Sequence, residues 1–117
     1  MEICITGRIP SKKNSRLTLP NGRTIPSQDY LRWQHEARSA VRGAWLRAPT
    51  EKPVAVEIET NCRNDVDNLA ASVLDMLEAI VYENDRQVKE MRVRKTRKER
   101  GEDYRTVIRV RVLGPAP

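Results

Sequence analysis

Three aspartates have the residue type and the spacing that chemistry at a shared site would need. Asp65 and Asp67 lie two residues apart, where a strand pattern gives way to a helical one. Alternate residues of an extended segment point to the same side, so these two carboxylates can converge. Asp85 follows the predicted helix and leads into a strand that could return it to the pair. The sequence therefore predicts one pocket containing three carboxylates.

A pocket of three carboxylates needs a cation or bound protons. Two carboxylates about 5 Å apart repel by on the order of 3 kcal/mol at an effective dielectric of about 20. Oxygen ligands without Cys or His favour Mg²⁺ or Mn²⁺, which keep coordinated waters within reach of a phosphodiester. We therefore expect Mg²⁺, with Mn²⁺ as the second choice. Each motif also has an ordinary structural interpretation, since Asp-x-Asp-Asn often caps a helix and Asp85 often occupies a turn.

Other catalytic chemistries find little support in the sequence. The single histidine, His35, falls in a predicted helix with no nucleophile beside it, and the five glycines form no phosphate-binding loop. Cys4 and Cys62 are far apart, which gives neither a disulfide framework nor a zinc pattern. The chain begins without a signal pattern and has no apolar run that could span a bilayer. We expect a cytoplasmic protein with no membrane partner.

Positive charge is concentrated in the last third of the chain. The formal net charge is +6, and residues 86–117 hold 11 basic and 4 acidic residues. Such a distribution indicates a polyanionic partner, although a basic face can also serve only to keep a small protein soluble. The predicted phosphate contacts are the basic residues of the last two strands and their turn: Lys89, Arg92, Arg94, Lys95, Arg97, Lys98, Arg105, Arg109 and Arg111.

The elements that must position these residues follow from apolar periodicity. A length of 117 residues fits one domain, residues 1–117. Alternating apolar residues predict strands at residues 3–7, 54–59, 87–95 and 106–112, with an irregular hairpin at 17–26. Helical spacing predicts two helices, from a Ser27 cap to about residue 46 and from residue 67 to about residue 82. This order is typical of an α+β domain with a mixed sheet and helices on one face.

Four segments together resemble the RusA-like family of Holliday junction resolvases. The central one is Arg63-Asn64-Asp65-Val66-Asp67-Asn68-Leu69, and the others are Leu74-Asp75-Met76-Leu77, Glu83-Asn84-Asp85-Arg86-Gln87-Val88 and Pro10-Ser11-Lys12-Lys13-Asn14-Ser15-Arg16. Their order and spacing match the family pattern over most of the chain. The combination is far more specific than any one segment.

This resemblance implies a site, a substrate and an assembly. Asp65, Asp67 and Asp85 would be the metal-binding catalytic carboxylates, and Lys12, Lys13 and Arg16 would belong to a basic DNA-binding loop. The family makes Mg²⁺-dependent, paired cuts in four-way DNA junctions as a homodimer. A four-way junction has two-fold symmetry, so one small chain with one carboxylate cluster needs a second copy to cut the second strand.

One departure from the family pattern affects the expected activity. Some members carry a catalytic lysine four residues after the second aspartate, where this chain has Ala71. Lys12 or Lys13 would be the nearest replacement in sequence. The departure keeps a second hypothesis open, a branched-DNA-binding protein that has lost cleavage. A phosphohydrolase acting on small nucleotides is a third, but it would not need the extended basic surface.

Overall fold

The computed structural model describes residues 1–11 and 16–114. Its strands are β1 (Glu2–Thr6), β2 (Arg16–Thr18), β3 (Thr24–Pro26), β4 (Val54–Thr60), β5 (Val88–Lys95) and β6 (Arg105–Val112). Its helices are α1 (Gln28–Ala44), α2 (Val66–Leu77) and a short 3₁₀ helix (Asp85–Gln87). No helix among the described residues is long and apolar enough to cross a membrane.

Four of the strands form one mixed sheet in the order β1-β6-β4-β5. β6 is antiparallel to both β1 and β4, whereas β4 and β5 are parallel. Parallel neighbours need a crossover connection, and α2 supplies it between β4 and β5. The predicted α+β class with a mixed sheet is confirmed.

The core lies between one face of the sheet and the two helices. In β4 the side chains of Val54, Val56 and Ile58 are buried, and they join a single apolar cluster with buried residues of α1 and α2. Charged side chains on the opposite sheet face alternate with these, as the pleat requires. The prediction that both helices cover one face is therefore confirmed. That opposite face is called the outer sheet face below.

Helix α1 begins where the sequence predicts it and ends slightly earlier. The Ser27 hydroxyl accepts a hydrogen bond from the Tyr30 backbone N–H at 3.2 Å, which satisfies one of the free N–H groups of the first turn. Its buried stripe consists of Tyr30, Trp33, Ala37 and Val41. These spacings turn one face of the helix toward the sheet.

Helix α2 is shorter than its apolar pattern indicates, and the prediction of a helix to residue 82 is wrong. Ala79 has a φ of 69°, which interrupts the helix just beyond its last residue, Leu77. Ile80, Val81 and Tyr82 remain buried, but in a turn, where the Tyr82 hydroxyl donates to the Leu74 carbonyl at 2.6 Å. Burial alone cannot distinguish this turn from another turn of helix.

The hairpin predicted around Asn21-Gly22 is present as β2 and β3, with three register pairs. Gly22 adopts a φ of 84°, a conformation that favours glycine. Most of the basic loop before this hairpin, residues 12–15, lies outside the described residues. Gly101 similarly forms the turn between β5 and β6 with a φ of 88°. The predicted turn at residues 98–103 is thus confirmed.

Candidate active site

Asp65 and Asp67 lie together at the start of α2, and both are exposed. Asp65 is the N-cap residue, with extended backbone angles, yet its carboxylate makes no capping hydrogen bond. Capping therefore does not account for the acidic side chain at position 65. Asp67 lies in the first helical turn, where the unpaired backbone N–H groups favour negative charge. Two carboxylates are thus presented to solvent within one turn of helix.

Two side-chain hydrogen bonds attach the N-terminal segment to the middle of α2 and to the residue before its N-cap. Asn64 Nδ2 donates to the Ile9 carbonyl at 2.9 Å, and Ser72 Oγ donates to the Pro10 carbonyl at 3.3 Å. The described chain stops at Ser11, one residue later. Pro10, the first residue of the basic loop that the family resemblance indicates, therefore lies beside α2.

Lys12 and Lys13 themselves lie outside the described residues, and Arg16 is the first residue of β2. Ala71, where some family members carry lysine, is a partly buried residue of α2. It immediately precedes Ser72, which holds Pro10. The hypothesis that a loop lysine replaces the missing cation stays a prediction.

Asp85 lies at the other end of α2 from Asp65 and Asp67. Asp85 shortly precedes Val88, which pairs with Val54 at the beginning of β4. Helix α2 instead begins after Thr60, at the end of β4. The seven residues of β4 separate these two ends of the sheet by roughly 20 Å. Burial raises the pKa of the Tyr82 hydroxyl, and the nearby Asp85 and Glu78 carboxylates raise it further. Asp85 therefore belongs to the surroundings of the C-terminal turn of α2.

Consequently, one chain does not gather the three predicted carboxylates. Among the described residues, no group of three or more His, Cys, Asp or Glu side chains is positioned to hold a metal ion. The donor chemistry at Asp65 and Asp67 fits a hard divalent ion, because both side chains offer carboxylate oxygens at an exposed position. The roles of all three aspartates stay predictions.

A polar network not predicted from the sequence fixes the orientation of α2 against α1. Asp75 Oδ2 accepts hydrogen bonds from the Tyr30 hydroxyl at 3.2 Å and from Gln34 Nε2 at 2.7 Å. Arg38 donates to the backbone carbonyls of Asp75 and Met76, at the end of the helix where cations are favoured. Burial and the neighbouring Asp75 raise the pKa of the Tyr30 hydroxyl, which keeps it a hydrogen-bond donor. The acidic residue of the Leu74-Asp75-Met76-Leu77 segment thus joins the two helices.

The predicted DNA-binding cations fall into two groups with different partners. On the outer sheet face, Arg109 contacts Glu2, Glu57 and Glu59. The hydrogen bond to Glu2 raises the pKa of its guanidinium above the ordinary value. Two further pairs on this face are Arg94 with Glu59 at 3.7 Å and Arg111 with Glu90 at 3.5 Å. Lys89 and Arg92 on β5 and Arg105 on β6 are exposed and form no salt bridge among the described residues.

The second group surrounds an open cleft of about 640 Å³ at the turn between β5 and β6. We call it the basic cleft, and its cations are Arg63, Lys95, Arg97, Lys98 and Arg100. Within the described part of the chain, none of these five side chains forms a salt bridge. Lys95 Nζ donates to the Arg63 carbonyl at 3.4 Å, which links β5 to the segment just before Asp65. Arg63 and Arg100 were not among the predicted contacts.

Comparison with known protein families agrees with this architecture. The model of the RusA endodeoxyribonuclease family matches residues 7–111, nearly the whole chain. The chain belongs to this family. Membership implies the nuclease activity of Holliday junction resolution, with junction DNA as the substrate class. No curated protein matches the chain in a sequence search.

Proposed function

We propose that this protein is a Mg²⁺-dependent, structure-specific endodeoxyribonuclease that resolves four-way DNA junctions by paired symmetric nicks during recombination and repair. The observation that carries the proposal is the family match over residues 7–111, a range that contains Asp65, Asp67 and Asp85. The exposed Asp65 carboxylate, unused in helix capping, supports a role outside the fold.

In this proposal Asp65 and Asp67 hold Mg²⁺ at the start of α2, with Mn²⁺ as a substitute. Bound there, the ion would offset the repulsion between carboxylates and phosphate and would supply Lewis-acid activation. The helix end and the Asn64 hydrogen bond to Ile9 keep the two carboxylates on a fixed backbone. The Asp75 network holds the other end of the same helix against α1.

The position of Asp85 supports a homodimeric active site. Because Asp85 is at the far end of α2 in its own chain, we propose that Asp85 of the partner subunit approaches Asp65 and Asp67. A two-fold assembly would then build two equivalent sites, one for each strand that must be cut. The alternative is that Asp85 is only a turn residue.

Mixing two inactive variants distinguishes these arrangements. Asp65→Asn and Asp85→Asn are combined, allowed to exchange subunits, and assayed for nicking of a labelled four-way junction. If the partner supplies Asp85, each mixed dimer regains one intact site and nicks one strand. If each chain uses its own Asp85, every site in the mixture is defective. Continued lack of nicking after demonstrated subunit exchange would contradict the shared site.

Each aspartate substitution also separates catalysis from binding. We expect Asp65→Asn, Asp67→Asn and Asp85→Asn to abolish cleavage while junction affinity stays equal or rises, because each removes a charge that repels phosphate. Affinity is measured without Mg²⁺ and cleavage with it. If Asp85→Asn cut as fast as the unmodified protein at limiting Mg²⁺, Asp85 would be withdrawn from the site.

Ala71 favours a second candidate, a branched-DNA-binding protein without cleavage activity. Incubating the protein with labelled junction and linear duplex, with and without Mg²⁺, decides between the two. Binding with no metal-dependent nicking would support the second candidate. If the protein does nick, Lys12→Ala and Lys13→Ala at saturating enzyme test the loop lysines, and loss of such a cation typically lowers turnover by about a hundredfold. Normal turnover in both variants, with a faster Ala71→Lys, would mean that the enzyme works without that cation.

A further inference from the structure

Tyr104 is an aromatic side chain held on a fixed backbone beside the basic cleft. The Gly7 N–H donates to the Tyr104 carbonyl at 2.7 Å. Asn61 secures both neighbours, since its Nδ2 donates to the Asp103 carbonyl at 3.0 Å and its Oδ1 accepts from the Arg105 N–H at 2.8 Å. Three hydrogen bonds therefore fix the backbone that carries this partly exposed ring.

Two cations lie over this ring. The Arg8 guanidinium carbon and the Lys98 ammonium nitrogen are each 5.1 Å from the ring centroid. Arg8 is exposed and Lys98 is partly exposed, and neither forms a salt bridge within the described residues. Two cations that are not ion-paired to a carboxylate form a place where an anion is favoured.

The ring also borders a second open groove, of about 560 Å³, that leads toward the predicted catalytic residues. Arg8, Arg63, Asn64 and Tyr104 are among its lining residues, together with one carboxylate, that of Asp29. Arg63 also lines the basic cleft, so the two depressions meet there. Asn64 directly precedes Asp65 in the chain. A strand lying along both depressions would pass Tyr104 and continue to the start of α2.

We propose that Tyr104, Arg8, Arg63 and Lys98 bind an unpaired nucleotide of branched DNA, with its base on the tyrosine ring and its flanking phosphates on the three cations. Aromatic rings beside a positively charged groove are the usual means of holding single-stranded DNA. Cation contacts to an exposed ring are weaker than base stacking, so phosphates can draw Arg8 and Lys98 aside while a base takes their place. This site deepens the proposed function, on which its biological substrate rests.

The first test uses single-stranded DNA alone and so does not depend on junction cleavage. The ligand is fluorescently labelled oligothymidylate of about 12 nucleotides, a length within the range of typical binding sites for single-stranded DNA. We expect Tyr104→Leu to bind it about tenfold more weakly, within the range for one lost stacked base, and Tyr104→Phe to bind within about twofold of the unmodified protein. Equal binding by Tyr104→Leu, or an equal loss in Tyr104→Phe, would overturn the proposal. No binding by the unmodified protein would overturn it too.

A double variant tests the same site without changing Tyr104, so its result does not depend on whether Tyr104→Leu folds normally. Arg8→Gln with Lys98→Gln removes the two cations over the ring and is compared with Arg94→Gln plus Arg111→Gln, which removes the same charge from the outer sheet face. We expect about tenfold weaker oligothymidylate binding only in the first pair, because the second pair is engaged by Glu59 and Glu90. Equal affinities in the two double variants would contradict the site.

The second test locates the base within a junction. A four-way junction carrying 2-aminopurine at the crossover is titrated without Mg²⁺. We expect its fluorescence to change with the unmodified protein and with Tyr104→Phe, but not with Tyr104→Leu. An identical change with all three proteins would show that another group contacts the base and would overturn the assignment. If the protein cuts no junction yet shows Tyr104-dependent oligothymidylate binding, the proposed function fails while this site stands.

Discussion

The outer sheet face and the basic cleft are both rich in arginine, but among the described residues only the outer sheet face has arginines that contact carboxylates. On the outer sheet face, Arg94, Arg109 and Arg111 each contact at least one glutamate. In the basic cleft, Arg63, Arg97 and Arg100 form no salt bridge among the described residues. A cation that already has a carboxylate partner must lose it before it can bind phosphate.

This difference divides the predicted DNA contacts by expected strength. Exposed ion pairs contribute little to stability, yet their carboxylates lower the positive potential of the surface around them. Cations that form no ion pair keep more of their attraction for a polyanion, and the five cations of the basic cleft outnumber its single carboxylate, Glu99. We therefore expect the basic cleft, rather than the outer sheet face, to dominate binding to the DNA backbone.

The largest effect should come from removing three arginines at once from either region. Arg63→Gln, Arg97→Gln and Arg100→Gln together should weaken junction binding about a hundredfold at low salt and flatten the log–log salt slope by about three units. The matched triple variant of Arg94, Arg109 and Arg111 loses the same charge and should bind nearly as well as the unmodified protein. Fluorescence anisotropy across a salt series measures both quantities. Equal losses in the two triple variants would mean that net charge alone controls binding.

A smaller, opposite effect should follow from freeing the arginines of the outer sheet face. Glu57→Gln, Glu59→Gln and Glu90→Gln remove partners of Arg94, Arg109 and Arg111. Affinity for linear duplex should rise by about tenfold, with a steeper salt slope, because Arg94 and Arg111 become available while Arg109 keeps only Glu2.

The control for this triple variant neutralises three exposed glutamates that form no ion pair within the described residues: Glu36, Glu51 and Glu83. It produces the same net charge without freeing an arginine. A comparable gain in both variants would show that pairing on the outer sheet face is irrelevant to DNA binding.

Single substitutions should reproduce the contrast on a smaller scale. Arg97→Gln should lower junction affinity about fivefold and reduce the salt slope by about one unit, the effect of one lost phosphate contact. Arg111→Gln, opposite Glu90, should remain within about twofold of the unmodified protein. Competition between labelled and unlabelled junction gives the ratio directly. A larger loss for Arg111→Gln than for Arg97→Gln would reverse the assignment of the two regions.

The smallest effect concerns folding rather than DNA. Arg109→Ala leaves Glu2, Glu57 and Glu59 near one another without their shared cation. We expect a slightly lower urea midpoint, more evident at low ionic strength, and unchanged junction affinity, because these exposed pairs are screened by salt. A stability loss that persists in high salt would indicate that packing of the arginine stem, and not charge, is what the outer sheet face requires.

The sequence alone determined the elements of this fold and the residues of its family pattern. Period-two alternation in β4 and β6 and the spacing of Leu69, Val73 and Leu77 in α2 are local features, since each depends on neighbours within a few residues. The family signature is equally local, because it lies in short segments of fixed order. These signals predicted the α+β class, the mixed sheet and the position of Asp65 and Asp67 at a strand-to-helix boundary.

Only the tertiary structure decided which distant groups meet. The end of α2 before Ala79 could not be predicted, because the buried residues 80–82 continue the apolar pattern after the helix stops. The parallel pairing of β4 with β5 carries Asp85 away from Asp65, and the register of β6 places Arg109 opposite Glu2 and Glu57. Strand pairing and register join residues far apart in the chain. Electrostatic partners depend on those distances in space, which periodicity within one segment does not specify.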